Sequence, residues 1–171
     1  MNKTIPKKNY IILGMVIIGT FFLLYYLYMW YDAYLDTKIS EPILDRYMEV
    51  INYNELDDYL VENTDAVIYV SVLEDSEIRL FERKLKNLFK NHTINRDILY
   101  MDITNNKVVM DTILSKYSNG NVSSGEVPMI LVIDDGVLRS VYNIKENNYD
   151  IEMVKLFINN IKFLEEDELY G

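Results

Sequence analysis

Cysteine is absent from the 171 residues, and no other feature of the chain removes so much chemistry. Without a thiol there is no disulfide, no thiolate nucleophile, no iron–sulfur cluster and no cysteine zinc site. Histidine occurs once, as His92 in a polar stretch, which argues against a histidine metal centre and against a Ser–His triad. A phosphate-cradling glycine loop and low-complexity repeats are also missing. Basic charge is scarce: 17 Lys and Arg stand against 27 Asp and Glu, for a net charge of −10. Three of those lysines (Lys3, Lys7, Lys8) precede residue 32, and no acid does. Residues 32–171 therefore carry fourteen basic and 27 acidic residues, a net −13. A domain that acidic repels phosphate backbones, so nucleic acid is not an expected partner. No metal and no cofactor is expected.

Charge is also missing from Asn9 to Tyr31, NYIILGMVIIGTFFLLYYLYMWY. As a helix, 23 residues at about 1.5 Å each span roughly 34 Å, enough to cross a bilayer's hydrocarbon core. Tyr25, Tyr26, Tyr28, Trp30 and Tyr31 crowd one end as an interfacial aromatic belt does. The run ends without the small-residue site of a cleaved signal peptide, which reads as an anchor. Gly14 and Gly19 are not at GxxxG spacing, so that dimerisation signal is missing. Lysines before the span and Asp32 and Asp36 after it place residues 1–8 in the cytoplasm and the remainder outside the cell membrane, in a single pass.

Aromatic residues make up 13% of the chain, with 15 tyrosines, so a sizeable core is available. Residues 32–47 read as a stalk, in which 32–36 extend the membrane helix by a turn and Ser40-Glu41-Pro42 opens a helix. Glu49–Tyr53 is a short strand, and Asn54 caps a helix with Leu56, Tyr59 and Leu60 on one face. Ala66–Val72 is a continuous β-branched and aromatic run, the pattern of a strand buried on both faces. The next segment places Ile78, Phe81, Leu85, Leu88 and Phe89 on one side of a helix, with Arg79, Glu82, Arg83, Lys86 and Lys90 on the other. Ile98–Ile103 is a third strand, and Val109, Met110, Ile113, Leu114 and Tyr117 mark another amphipathic helix. After the polar loop 118–126, Met129–Ile133 and Val137–Asn143 flank Asp134-Asp135-Gly136, a hairpin turn. A last helix covers about Asp150–Leu164, with Ile151, Val154, Phe157, Ile158 and Ile161 inward. Residues 165–171 form an acidic tail. Alternating strands and helices closed by a hairpin predict an α/β fold, a mixed sheet of about five strands with helices on both faces.

Two segments carry a family resemblance: VIYVSVLEDSEI, a strand turning into a long helix, and VPMILVIDDG at Val127–Gly136. With the element order, they make residues 48–164 resemble the thioredoxin superfamily. Membrane-tethered thioredoxin-like proteins of low-GC bacteria, including those called bacteriocin transport accessory proteins, are similar in overall layout. The resemblance implies that Pro128 is cis and faces the turn that holds the family's CxxC dithiol. Here those two cysteine positions fall on Asp75 and Ile78, with Ser76 and Glu77 between them. Thiol–disulfide exchange needs an attacking thiolate, which neither residue supplies. Packing and capping explain the replacements: Ile78 continues the apolar stripe, and Asp75 or Ser76 suits the helix N-cap.

The leading expectation is therefore a redox-inactive, membrane-anchored protein-binding or scaffold module with no catalytic residue. It would serve a secretion, conjugation or envelope assembly. Its binding groove would be formed by Leu73, Glu74, Asp75, Ser76, Glu77, Val127 and Pro128. The partner would be a protein, membrane-embedded or presenting an extended peptide. An enzymatic alternative rests on Ser76, because glutathione transferases of the same superfamily use a Ser or Tyr hydroxyl near this place. Glu74, Asp75 and Glu77 oppose it by repelling glutathione's carboxylates. A third reading makes the protein a purely structural membrane subunit. Asn91-His92-Thr93 and Asn121-Val122-Ser123 fit the glycosylation pattern, which matters in a eukaryotic secretory pathway. The acid clusters at Asp57-Asp58 and Glu165–Glu168 lack the spaced oxygen ligands of a calcium loop.

Overall fold

The computed structural model describes residues 7–37, 41–94, 96–118 and 125–163. Ser40, the 119–124 part of the polar loop with Asn121, and the tail from 165 onward lie outside the described residues. The chain divides into two units, Met1–Lys38 and Ile39–Gly171.

The first unit holds one helix, α1 (Lys7–Thr37), long and apolar enough to cross a membrane over Lys8–Tyr34. Its large apolar side chains are exposed. The Thr20 hydroxyl donates to the Val16 carbonyl one turn back at 2.8 Å, so it is satisfied inside the helix.

In the second unit, β1 (Glu49–Val50) leads through a 3-10 turn at Tyr53–Glu55 into α2 (Leu56–Glu62). Then follow β2 (Ala66–Ser71), α3 (Ser76–Lys90), β3 (Leu99–Asp102), α4 (Val109–Tyr117), β4 (Met129–Asp134), β5 (Val137–Asn143) and α5 (Ile151–Asn160). The sheet order is β1-β3-β2-β4-β5. β3 is parallel to β1 and β2, while β4 is antiparallel to β2 and β5. This is the expected α/β fold, a mixed sheet of five strands flanked by helices, and the Val127-Pro128 peptide is cis as the resemblance implies.

The strand period explains the layering. Along β2, Ala66, Ile68 and Val70 pack into one apolar cluster with Leu56 and Leu60 of α2 and Ile113 and Leu114 of α4. Val67 and Tyr69 face the other cluster, with Phe81, Leu85 and Phe89 of α3 and Val154 and Ile158 of α5. Every residue of β2 and β4 is buried, so both strands are covered on both faces. The β4–β5 turn needs φ above zero at both central residues, and Asp135 (51°) and Gly136 (68°) supply it.

Four expectations are corrected. Residues 32–47 are not one stalk: 32–37 continue α1, while Ile43 and Leu44 are buried in the second unit, so 41–47 belong to the domain. β1 ends at Val50, though the Ile51 N–H still donates to the Tyr100 carbonyl. Asn52 rather than Asn54 precedes the helical turn, and the Glu55 carboxylate reaches back to the Asn52 N–H at 3.1 Å. α5 ends at Asn160, before the expected Leu164.

Arg79 and Glu82, expected on the solvent side of α3, are buried. The Glu82 Oε1 accepts from the hydroxyls of Ser71 (2.8 Å), Tyr100 (3.1 Å) and Tyr69 (3.3 Å). A carboxyl enters the core here because β2 and β3 present three hydroxyls that need an acceptor.

Candidate functional site

The turn after β2 and the start of β4 meet at one end of the sheet, because Val70 pairs with Met129 in the antiparallel ladder. Two bonds tie the end of β2 to the β3 side: Ile103 N–H donates to the Ser71 carbonyl at 2.9 Å, and Leu73 N–H donates to Thr104 Oγ1 at 2.7 Å. Thr104 is itself held by Asp102, whose Oδ1 accepts from the threonine N–H and hydroxyl. These bonds tie the turn to the β3 side where α3 begins.

Asp75 is the N-cap of α3. Its Oδ1 accepts from Glu77 N–H at 2.8 Å and Ile78 N–H at 3.2 Å, satisfying two of the orphan donors of the first turn. Asp75→Ala should therefore cost about 1 kcal/mol of domain stability and Asp75→Asn a few tenths at most, read as denaturant midpoints. Ile78 is buried in the cluster that holds Val72 and Met129, so the second family cysteine position is core.

Of the remaining predicted site residues, Glu74, Ser76 and Glu77 are exposed and Val127 is half-buried, while Pro128 and Leu73 are buried. Leu73 gives its side chain to the core rather than to a groove. The Pro128 carbonyl accepts from Ile144 N–H at 3.1 Å. Gly125 approaches so closely that an added Cβ would lie 2.4 Å from Asn143 Nδ2. Asn143 is in turn held by Glu146, whose N–H donates to its Oδ1 and whose Oε1 accepts from its Nδ2.

Sequence reading missed Tyr149. The 144–150 segment folds back with Asn148 and Tyr149 at positive φ (53° and 55°), and the Tyr149 N–H donates to the Ile144 carbonyl at 3.0 Å. Its ring centroid lies 5.8 Å from that of Phe81. Burial pushes the Tyr149 hydroxyl's pKa up, and the negative charges of Asp75 and Glu77 add to this. Tyr149 thus joins α3 to the segment after β5, beside an ion pair of Lys145 with Glu126. An isolated Asn-Asn-Tyr in a loop carries no periodicity that would have pointed to it.

The chemistry available is limited. Asp75 spends its carboxylate on backbone donors and Ile78 is a hydrocarbon. The Ser76 hydroxyl sits at the opposite end of α3 from His92, about 22 Å along a 15-residue helix. Among the described residues no group of three or more His, Asp or Glu side chains forms a metal site.

No family model and no curated protein matches the chain. Among solved structures, it is similar to the thioredoxin of Fasciola hepatica, at 15% identity and a TM-score of 0.48, over 67% of this chain and 100% of that one. It is also similar to a designed protein, at 17% identity and a TM-score of 0.44, over 73% of this chain and 99% of that one. The strand order, the strand directions and the cis Val127-Pro128 peptide make the fold thioredoxin-like.

Proposed function

We propose that the protein is a membrane-anchored, redox-inactive thioredoxin-like module that binds another protein at the outer face of the cell membrane, as an accessory of a secretion, conjugation or envelope assembly. The observation that carries this reading is the fate of the two dithiol positions. One has become a helix cap and the other core, while the turn and Val127 beside them still form a surface. A domain that has lost sulfur chemistry but keeps the surface next to it acts by contact rather than by reaction.

The contact is an extended segment of the partner laid beside Val127. The Pro128 carbonyl is taken by Ile144, so main-chain pairing falls on the Val127 peptide. Exposed Glu74, Asp75 and Glu77 rim the site and favour a partner segment carrying Lys or Arg. α1 holds the module at the bilayer, where a partner embedded in or emerging from the membrane is met at high effective concentration.

The test removes charge without removing the cap. Asp75→Asn with Glu77→Gln keeps the N-cap acceptor and should lower crosslinked partner recovery from intact membranes by about fivefold or more. Val127→Trp should do the same by bulk, and neither variant should shift the unfolding midpoint by more than a few degrees. Undiminished recovery of every partner from both variants would sink the groove assignment. Replacing α1 by an unrelated membrane helix should leave recovery intact; its loss would move the function into the membrane.

A further inference from the structure

Among the described residues β5 is an open edge of the sheet, with β4 as its one neighbour. The ladder fixes which of its main-chain groups face outward. The Ile144 N–H donates to the Pro128 carbonyl at 3.1 Å, so Met129 and Asn143 form a pair without mutual hydrogen bonds. Alternation then bonds Ile130 with Tyr142 and leaves Leu131 and Val141 unbonded to each other. The Val141 N–H and C=O therefore point away from β4, and neither has a partner among the described residues. A bulge at Arg139 lies on one side of this opening. On the other side the Asn143 carbonyl is taken by Asn147 Nδ2 at 2.7 Å.

Beside the opening, Val132 and Tyr142 of the sheet and Met153, Leu156, Phe157 and Ile161 enclose an open groove of about 480 Å³. Met153 and Leu156 are 47% and 53% exposed, and Asn160 and Phe157 complete their uncharged arc of α5. Arg139 and Lys162 line the groove, with no acid among its described lining residues. The adjoining acids are engaged: Asp134 faces the Arg139 Nε at 3.7 Å, Glu152 pairs with Lys155 at 3.2 Å, and Asp150 caps α5. Asp135, in the hairpin turn, does not line the groove. Lys162 is exposed and has no acid partner among the described residues.

We infer that this groove takes an extended segment of a partner protein, laid along β5, with apolar residues at alternate positions and an Asp or Glu beyond them. The residue opposite Val141 exchanges two main-chain hydrogen bonds with it. Tyr142 packs with the α5 cluster and Val141 with the opposite one, so the two neighbours of that residue point to the α5 side. Their apolar groups fill the groove against Tyr142, Leu156 and Phe157. An acid further along the same face meets Lys162. Charge complementarity sets the sign of the occupant, because a basic segment or the cations of a second copy would meet Lys162 with like charge. The site lies on other elements than the Val127 surface and selects the opposite charge, so it stands independently of the reading above.

The probe is a dye-labelled peptide, Glu-Thr-Ile-Thr-Ile-Thr-Glu, which places both Ile and both Glu on one face in either strand direction. Its fluorescence anisotropy is titrated with the full chain in phosphatidylcholine nanodiscs. Binding should be saturable, and N-methylation of the central Thr, which removes its main-chain donor, should weaken it by at least about fivefold. Met153→Gln with Leu156→Gln, both at exposed positions, should weaken it by a similar factor. Lys in place of both Glu should cost about two- to fivefold, and Lys162→Glu should remove that preference. Asp75→Asn with Glu77→Gln should leave binding unchanged; loss there would place the peptide at the Val127 surface and overturn the inference. Binding that ignores N-methylation and the Met153, Leu156 variant overturns it too. So does the absence of saturable binding at millimolar peptide. Binding seen only after deletion of residues 164–171 overturns it in favour of that segment as the occupant. Binding lost when discs hold two copies instead of one overturns it in favour of a second copy.

Discussion

Phe81→Ala is expected to lower the stability of the 39–171 unit by about 3–5 kcal/mol, a large share of the 5–15 kcal/mol a domain of this size possesses. Phe81 is 2% exposed and lies in the cluster formed by Leu85, Phe89, Val154 and Ile158. Truncation removes the transfer free energy of the ring and leaves a cavity between α3, α5 and the sheet, where rigid neighbours cannot close in. The ring is also the packing partner of Tyr149, so the loss reaches the candidate site. At about 3–6 °C per kcal/mol, the unfolding midpoint should fall by at least about 10 °C. Phe81→Leu, which keeps most of the apolar volume, should recover more than half of the difference. A midpoint change of a degree or two for Phe81→Ala would mean that α3 is not seated on the sheet as described.

Most of this architecture was legible in the sequence, and the reasons are local. The continuous apolar runs of β2 and β4, the helical stripes of α3, α4 and α5, and Asp135-Gly136 at the hairpin each follow from a few adjacent residues. The failures have in common that the deciding partner lies far away in the chain. Ile43 and Leu44 sit in a short irregular segment with no periodicity of its own, and Leu44 is buried in a cluster with residues of β2, α3, β3, β4 and α5, the nearest of these strands more than 20 residues later. The helical turn that opens at Asn52 uses three 3-10 residues before α2, a length that caps at one-residue resolution do not reveal. At the candidate site, Asp75 and Ile78 were readable because capping and apolar spacing are local rules. Tyr149 was not, because a loop segment with two positive-φ residues brings it back against α3.

Glu82 is the instructive miss, because the signal for it was present. Tyr69 and Ser71 are two apart on a strand buried on both faces, so both hydroxyls point into the same apolar layer and require an acceptor. The facing helix offers one acid at a compatible position. Reading buried hydroxyls as a demand, rather than reading α3 for apolar residues alone, would have placed Glu82 inward.

Glu82 should also make the domain's stability depend on pH in a direction opposite to that of surface carboxylates. Burial raises its pKa above the ordinary value. Hydrogen bonds from Ser71 and Tyr100, the nearby Arg79 charge and the Tyr69 bond act against this without overcoming it. Its second oxygen, Oε2, is buried with no hydrogen-bond partner among the described residues. The unfolded chain therefore ionises Glu82 first as pH rises, and the native state binds the extra proton. The contribution of this group is thus fully present below its ordinary pKa and is lost as pH rises through the higher folded value. Glu82→Gln retains an acceptor for the three hydroxyls and cannot ionise. It should match the parent within about 0.5 kcal/mol at acid pH and exceed it by about 1–2 kcal/mol under mildly alkaline conditions, because a neutral orphan costs less than a charged one. Glu82→Leu tests the other half of the argument. It strands the hydroxyls of Tyr69, Ser71 and Tyr100, at about 1–3 kcal/mol for each one left without a partner, and should destabilise by about 2–4 kcal/mol after relief of the carboxyl's own desolvation. Adding Tyr69→Phe, Ser71→Ala and Tyr100→Phe to that variant should recover most of the loss, since removing every member of a buried polar group costs less than removing one. Denaturant midpoints across the pH range decide it. A pH-independent gap between the Gln variant and the parent would show that the carboxylate is charged and fully compensated by Arg79, and the cluster would then be an ion pair rather than a buried acid.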